Sequence, residues 1–294
     1  MGKLIVLAFV GLVAQLVDGS LGMAYGVTST TLLLAVGIAP AAASASVHLS
    51  EVGTTLVSGV SHWKLGNVNW RTVRWMAIPG GAGAFLGAVV LSSISAEAAK
   101  PFVAIFLFGL GVYILVRFSS NKIGRRIINK TISGKFLAPL GLGAGFLDAA
   151  GGGGWGPIST PTLLSSGRME PRKVVGTVDT SEFLVALCAS AGFLVSLSFA
   201  EVPLGITAAL LAGGVFAAPV AAWLVRRLHP RILGTAVAGI ILITNARTLL
   251  NTYGVENGTA ASAYLLIVAI WLFALALAIS AARREPATAS EAPA

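Results

Sequence analysis

The chain has 294 residues, of which 56% are hydrophobic and 11% are charged, and its mean hydropathy is +0.87. A soluble globular protein carries roughly a quarter charged residues, so this composition excludes an ordinary soluble domain and indicates a protein embedded in a bilayer. The net charge of +9 comes from basic residues that cluster between apolar runs, which is typical of cytoplasmic loops and not of a nucleic-acid-binding surface. The single cysteine, Cys188, excludes a disulfide framework and a thiolate metal site within this chain.

Apolar runs close to the ~20 residues that cross hydrocarbon predict seven helical crossings, and glycine clusters interrupt two further apolar regions. The first apolar run is not followed by a small-residue cleavage site, so we expect it to be retained rather than removed as a signal peptide. The predicted elements are an interrupted hairpin over 4–36, helices over 42–61, 75–94 and 102–118, a basic cytoplasmic linker over 119–135, a second interrupted hairpin over 136–166, helices over 174–198, 203–225 and 232–250, an extra helix over 260–282, and a disordered cytoplasmic tail over 283–294.

The basic residues also predict the orientation of these helices. Threading the crossings through the loops brings all but Lys3, Lys100 and Arg247 of the 20 Lys and Arg residues to one side. Because cytoplasmic loops are enriched in Lys and Arg, that side is predicted to be the cytoplasm. The C-terminal tail is then expected inside, and the N-terminus outside.

The chain contains an internal repeat, with residues 1–118 as the first copy and 136–250 as the second. A shift of 130 residues, which becomes 131 beyond Gly37, pairs acidic residues with acidic residues and glycine with glycine. The alternative explanation is the shared composition of Gly- and Ala-rich helices. The paired positions include Asp18 with Asp148, Gly22 with Gly152, Tyr25 with Trp155, Gly26 with Gly156, Ser29 with Ser159, Pro40 with Pro171, and Glu51 with Glu182.

The two copies are predicted to have opposite orientations in the membrane. Pro40 begins its helix on the outside, whereas Pro171 lies among basic residues and begins its helix in the cytoplasm. The predicted fold is therefore an all-α polytopic membrane protein with an inverted-topology repeat, in which each half has a broken, re-entrant-like hairpin and three transmembrane helices, followed by one extra C-terminal helix. Inverted repeats with broken helices are typical of secondary transporters, whose sites lie where the repeats meet.

The two interruptions predict an anion site. They extend from Asp18 to Gly26 and from Asp148 to Pro157. Irregular backbone inside a membrane should face a cavity, and a half-helix that starts there directs free N–H groups at it. The alternative is that the glycines permit close helix crossing, that Asp18 and Asp148 only cap the half-helices, and that the aromatic residues pack rather than wall the cavity. The predicted substrate-binding residues are Gly22, Tyr25, Gly26, Ser29, Thr30, Gly152, Gly153, Trp155, Gly156, Ser159 and Thr160.

Ionisable residues on the next helix of each copy predict a proton pathway. His48 and Glu51 share one helix face, as do Asp179 and Glu182. Such residues are rare in membrane helices and usually line a pathway, and desolvation disfavours their charged form, so the carboxyl groups can carry protons. The alternative is a set of structural hydrogen bonds between helices. The predicted proton-coupling or pathway residues are His48, Glu51, Asp179, Glu182, Asp18 and Asp148.

These residues resemble those of the TauE/SafE sulfite exporter family, also called the 4-toluene sulfonate uptake permease family. The resemblance rests on a short apolar helix, an Asp-plus-glycine break and a Ser-Thr helix, at Gly11 to Leu34 and again at Gly141 to Leu164, each followed by a Pro-initiated helix that carries Glu51 or Glu182. It implies transport of small sulfur-containing anions such as sulfite, sulfoacetate, thiosulfate or organosulfonates across a bacterial cytoplasmic membrane. It implies no direction, because the family includes proposed exporters and importers.

The predicted function is therefore a proton-coupled or otherwise ion-coupled secondary transporter for such an anion. A passive, channel-like anion pore on the same architecture is the first alternative, and a non-transporting membrane subunit is the second. The sequence has no intramembrane metal cluster, no plausible Ser/His/Asp set and no soluble domain, so neither an enzyme nor a cofactor is predicted.

Overall fold

The computed structural model describes residues 2–21, 23–119, 131–197, 201–224 and 230–284. Most of the basic linker, nearly all of the predicted tail, and the predicted site residue Gly22 lie outside these ranges. Over the described residues the chain is all-helical and forms eleven helices. They are α1 (Gly2–Leu21), α2 (Tyr25–Ala35), α3 (Pro40–Lys64), α4 (Trp70–Ser93), α5 (Ala96–Ser119), α6 (Gly134–Gly151), α7 (Trp155–Ser166), α8 (Pro171–Ser196), α9 (Leu204–Leu224), α10 (Pro230–Thr252) and α11 (Asn257–Arg284).

Several of these helices have the length and apolar composition of membrane spans, which confirms a helical membrane protein. Five meet both criteria, and they lie within α4, α5, α8, α10 and α11. Shorter apolar stretches occur at Leu4–Asp18 in α1 and Leu204–Ala217 in α9. The 25-residue helix α3 is long enough to cross, but it carries many buried polar residues, including His48 and Glu51.

Both interruptions are narrower than the sequence pattern predicts. Helix α1 continues past Asp18, and α6 continues past Asp148 to Gly151. The described non-helical residues are only Met23 and Ala24 in the first break and 152–154 in the second. Because no water inside a bilayer pairs with free backbone groups, each helix continues as far as its geometry allows.

The helices that follow the breaks are too short to cross a bilayer. Helix α2 has 11 residues and α7 has 12. At about 1.5 Å per residue such helices extend for roughly 17 Å, about half of the ~30 Å hydrocarbon thickness. Their N-terminal ends therefore lie deep in the protein if their other ends are near a membrane surface.

The helices of the two halves interleave. Helix α4 of the first half packs along α6 and α8 of the second half, while α9 of the second half packs along α1 and α3 of the first. Helix α5 packs against α10, and α3 against α8. Each half thus covers the interrupted hairpin of the other, and the buried core lies between the halves.

Helices that are equivalent in the sequence repeat run antiparallel to each other. In α3 and α8, Gly59 lies beside Thr180, and His62 lies beside Gly176, so residue numbers rise along one helix as they fall along the other. Small residues at these crossings allow the backbones to approach closely. The same reversed order relates α5 and α10 through the pairs Gly111 with Ile241 and Phe118 with Gly234.

Candidate functional site

The two breaks are in direct backbone contact. A β-carbon on Gly26, at the start of α2, would lie 2.9 Å from the Cα of Gly153 in the second break. A β-carbon on Gly153 would overlap the backbone of Gly26 and Val27, and one on Gly152 would overlap the side chain of Thr30. Only glycine fits this contact, which closes the space between the breaks in this structure.

Asp18 and Asp148 cap the half-helices that follow them. The backbone N–H of Tyr25 donates to Asp18 Oδ1 over 3.2 Å. Asp148 Oδ1 accepts from the N–H groups of both Gly154, at 2.6 Å, and Trp155, at 3.0 Å. A carboxylate in this position satisfies otherwise unpaired donors and interacts favourably with the positive end of the helix.

The capping leaves further donors at the same place. The first-turn N–H groups of Gly26 and Val27 in α2, and that of Gly156 in α7, have no acceptor within their own helix. Thr160 is also buried in α7. Four buried side-chain hydroxyls without a hydrogen-bond partner follow these donors, at Thr28, Ser29, Thr30 and Ser159.

His48 connects the two halves through Asp148. Its Nε2 lies 3.1 Å from Asp148 Oδ2, and its Nδ1 lies 2.8 Å from the Ser44 carbonyl oxygen. A carbonyl oxygen can only accept, so Nδ1 carries a hydrogen, and the contact between Nε2 and the carboxyl group requires one more proton between them. Glu51 Oε2 lies 4.0 Å from the same Nε2, and neither oxygen of this buried carboxyl group has a hydrogen-bond partner.

These three residues form the most compact set of cation-binding donors in the part of the chain that is described. His48, Glu51 and Asp148 each offer one donor atom, and the three atoms lie within 4.8 Å of one another. A nitrogen and two carboxyl oxygens at this spacing can surround one small cation. A shared proton already accounts for the hydrogen bond between His48 and Asp148.

We call His48, Glu51 and Asp148 the titratable cluster, and this cluster lies beside the contact between the breaks. A β-carbon on Gly26 would lie 3.2 Å from Glu51 Oε1. The Glu51 carboxyl group is therefore beside the N-terminal end of α2 and its first-turn backbone donors. Charges at this place would interact strongly, because the interior is poorly hydrated.

The acidic residues of α8 extend the titratable cluster. Asp179 and Glu182 are both buried. Glu182 is close enough for charge interactions with carboxyl groups on α1, α3 and α6 as well as with Asp179. The structure thus brings together all five acidic residues that the sequence predicted for the pathway, namely Asp18, Glu51, Asp148, Asp179 and Glu182.

Tyr25 and Trp155 anchor the half-helices to their neighbours. The Tyr25 hydroxyl lies 3.1 Å from Ser50 Oγ and 3.4 Å from the Leu210 carbonyl oxygen. The Trp155 indole N–H donates to the Val178 carbonyl oxygen over 3.1 Å. Both polar groups are therefore engaged by crossing helices rather than directed at the contact between the breaks.

Sequence reasoning missed His62. This residue lies in the last turn of α3, one position beyond the predicted end of that crossing, and its Nε2 is 3.9 Å from Asp179 Oδ2. A signal was present, because the repeat shift of 131 residues places His48 opposite Asp179 and His62 opposite Phe193. A histidine paired with a phenylalanine marks a position where the halves differ chemically.

Comparison with known proteins identifies the family. The family model for the sulfite exporter TauE/SafE matches residues 7–248, which include both breaks and the whole titratable cluster. The chain belongs to this family. The resemblance seen in the sequence is thereby confirmed.

Two relatives of the chain in Bacillus subtilis strain 168 are named as transporters. The probable membrane transporter protein YtnM is 54% identical over 281 residues, which cover 95% of this chain and 94% of the relative. The probable membrane transporter protein YjnA is 26% identical over 249 residues, or 81% of this chain and 97% of the relative. No solved structure matches the chain. The family and both names indicate a multi-pass membrane transporter with a small-molecule substrate, and not an enzyme.

Proposed function

We propose that this protein is a proton-coupled secondary transporter that binds a small sulfur-containing anion, such as sulfite, sulfoacetate, thiosulfate or an organosulfonate, between the N-terminal ends of α2 and α7. The observation that carries the proposal is the contact between the two breaks, where the Glu51 carboxyl group lies beside Gly26. The unpaired N–H groups at the start of α2 and α7 therefore lie in the same buried region as a carboxyl group that can bind a proton.

The transporter architecture is an inverted repeat. Its support is the antiparallel course of α3 with α8 and of α5 with α10, together with the reciprocal packing of α4 on α6 and α9 on α1. A two-fold axis in the membrane plane relates such halves, so each break approaches the centre from an opposite side. The distribution of Lys and Arg supports a location in the bacterial cytoplasmic membrane with the C-terminal tail inside.

The anion site uses backbone and hydroxyl donors instead of a buried Lys or Arg. Helix N-termini attract anions through their free N–H groups and their positive dipole ends. Ser29, Thr30 and Ser159 add hydroxyl groups that are buried without a partner. A buried polar group without a partner is destabilising by about 1–3 kcal/mol, and a bound oxyanion would remove that penalty.

Glu51 couples the anion to a proton. A charged carboxylate next to Gly26 repels an anion, whereas a protonated carboxyl group removes the repulsion and offers an O–H donor. Anion binding and protonation of Glu51 therefore favour each other, and by linkage each ligand increases the affinity for the other to the same extent. Proton and anion consequently cross the membrane in the same direction.

The closed contact between the breaks favours a carrier over an open pore. An anion reaches the donors only when α2 and α7 separate, because Gly26 and Gly153 touch. A carrier exposes its site to one side at a time. A passive pore would need a continuous gap at this position.

Anion binding is the first test of the proposal. Purified protein in lipid nanodiscs is titrated calorimetrically with sulfite, thiosulfate, sulfoacetate and a short alkylsulfonate, with choline and potassium as cationic controls. We expect saturable binding of at least one anion, tighter at acidic than at alkaline pH. Binding of a cation with no response to any of the anions would overturn the helix N-terminus site.

A matched pair of hydroxyl variants tests whether the anion binds at the breaks. Ser159→Ala removes an unpaired buried hydroxyl at the start of α7, while Thr235→Val removes one that is equally buried in the second turn of α10, where Gly234 packs on Phe118 near the end of α5. A hydrogen bond to a charged ligand contributes about 1.5–3 kcal/mol, so Ser159→Ala should weaken anion binding by about tenfold or more. Thr235→Val should bind like the wild type. In proteoliposomes, anion flux that ignores a pH gradient would indicate a pore and contradict proton coupling.

A further inference from the structure

The repeat relates two side-chain contacts that have different chemistry. The shift of 131 residues that aligns Glu51 with Glu182 also places His48 opposite Asp179 and His62 opposite Phe193. In the structure, each histidine lies beside the α8 residue that is equivalent to the other histidine. The rings of His48 and Phe193 have centroids 6.0 Å apart, and His62 Nε2 lies 3.9 Å from Asp179 Oδ2. One contact joins two titratable groups, and the other joins a titratable group to an apolar ring.

His62 lies at the end of a line of titratable groups. It is fourteen residues from His48 along α3, or about 21 Å at the helical rise of about 1.5 Å per residue. That distance is a large part of the ~30 Å hydrocarbon thickness. The His62 side chain is 25% exposed, whereas those of Asp179 and His48 are 8% and 0% exposed. Among these three side chains His62 is therefore the most accessible, and it lies in the last turn of α3.

The carboxyl groups between His62 and the breaks lie close enough to one another for their charges to interact. Asp179 contacts His62, and Glu182 lies one turn further along the same face of α8. Asp179 interacts with the charge of Asp18, and Glu182 with that of Glu51. In the described part of the chain, Asp179 is the charged group on a neighbouring helix that contacts His62, and Lys64 is the nearest on its own helix.

Phe193 occupies the equivalent position at the other end of the α3–α8 pair. Its side chain is fully buried and lies against His48, the innermost member of the line. A phenyl ring offers no group that binds or releases a proton. The half that contains Phe193 therefore has no titratable side chain at the position where the other half has a histidine.

We propose that His62 admits protons from the cytoplasmic side to the buried carboxyl cluster through Asp179, and that Phe193 blocks the corresponding outward route. This inference rests on the proposed proton-coupled function and on the predicted orientation of α3. In this conformation the buried carboxyl cluster exchanges protons with the cytoplasmic side. His62, which lies outside the anion site, carries these protons.

Exchanging the two side chains tests the inference. His62→Phe and Phe193→His are reconstituted separately into liposomes of defined orientation that contain a pH-sensitive dye, and anion affinity is measured in nanodiscs. With His62→Phe we expect proton movement during anion transport to fall by about tenfold or more, with anion affinity almost unchanged, because a proton-transfer group is lost. With Phe193→His we expect a proton leak without any anion, about tenfold above that of the wild type.

Controls of equal bulk lie on exposed faces at similar depths. Val60→Phe adds a ring near His62, and Val195→His adds an imidazole near Phe193, and both positions are exposed. The inference is overturned if His62→Phe behaves like Val60→Phe, or if Phe193→His leaks no more than Val195→His. The second comparison decides the matter even if His62→Phe does not fold. If wild-type transport itself ignores the pH gradient, the proposed coupling fails, whereas normal coupling with unchanged variants overturns only the proton route.

Discussion

The break between α6 and α7 is held by more hydrogen bonds than the break between α1 and α2. Asp148 accepts two backbone N–H groups and contacts His48, whereas Asp18 accepts one N–H over a longer distance of 3.2 Å. The second break consists of glycines, two of which have positive φ angles, while the first contains Ala24 at φ 96°, the one non-glycine residue with positive φ in the described ranges. We therefore expect the first break to move more readily when the site opens.

This difference assigns separate tasks to similar sequences. The second half supplies a firmly capped helix start and the acidic partner of His48. The first half supplies Gly26 and Glu51, which lie at the contact between the breaks. An inverted repeat can thus retain a shared architecture while its two copies differ in stability and in proton chemistry.

The largest effect is expected from a methyl group at the contact between the breaks. In Gly153→Ala the new β-carbon would overlap the backbone of Gly26 and Val27, and the residue would keep a φ of 146° that favours glycine. We expect loss of anion transport and destabilisation by about 3 kcal/mol or more, measured by flux and by unfolding in detergent. Gly143→Ala is the control, because nothing lies within 4 Å of its new carbon. Equal behaviour of the two variants would contradict a closed contact.

The next largest effect is expected from changing one of the two equivalent glutamates. Glu51→Gln removes the titrating group beside Gly26 but keeps its shape, so anion binding should persist and lose its pH dependence. Accumulation of the anion driven by a pH gradient should fall by about tenfold or more. Glu182→Gln should reduce accumulation less, because Glu182 is part of the line of carboxyl groups without being placed at Gly26. If Glu182→Gln reduces the pH dependence more than Glu51→Gln does, the coupling glutamate lies in the second half and not in the first.

The smallest effect concerns the two capping aspartates. Asp148→Ala removes the acceptor of two N–H groups and the carboxyl partner of His48, and it should destabilise the protein by about 2–3 kcal/mol. Asp18→Ala removes the acceptor of one long hydrogen bond, and about 1 kcal/mol is expected. Thermal or denaturant unfolding in detergent measures both values. If Asp18→Ala is the more damaging change, the first break is not the more mobile one.

The extent of the helical breaks was only partly predictable from sequence. The pattern around Asp18 and Asp148 indicated where α1 and α6 are interrupted, but it extended both interruptions too far. Local propensity counts each glycine against a helix, whereas in a bilayer the need to pair backbone groups keeps Gly151 helical. Tyr25 and Trp155 could not be assigned either, because their hydrogen-bond partners lie on crossing helices.

By itself the sequence determined the membrane environment, the helical class, the family and the positions of the buried ionisable residues, because composition, periodicity and repetition are local properties of the chain. Only the tertiary structure decided which of these residues meet: His48 with Asp148, Glu51 with Gly26, His62 with Asp179, and Phe193 with His48. These pairs join opposite halves or separate elements. They depend on how closely small residues let the helices approach, and this packing has no local signature in the sequence.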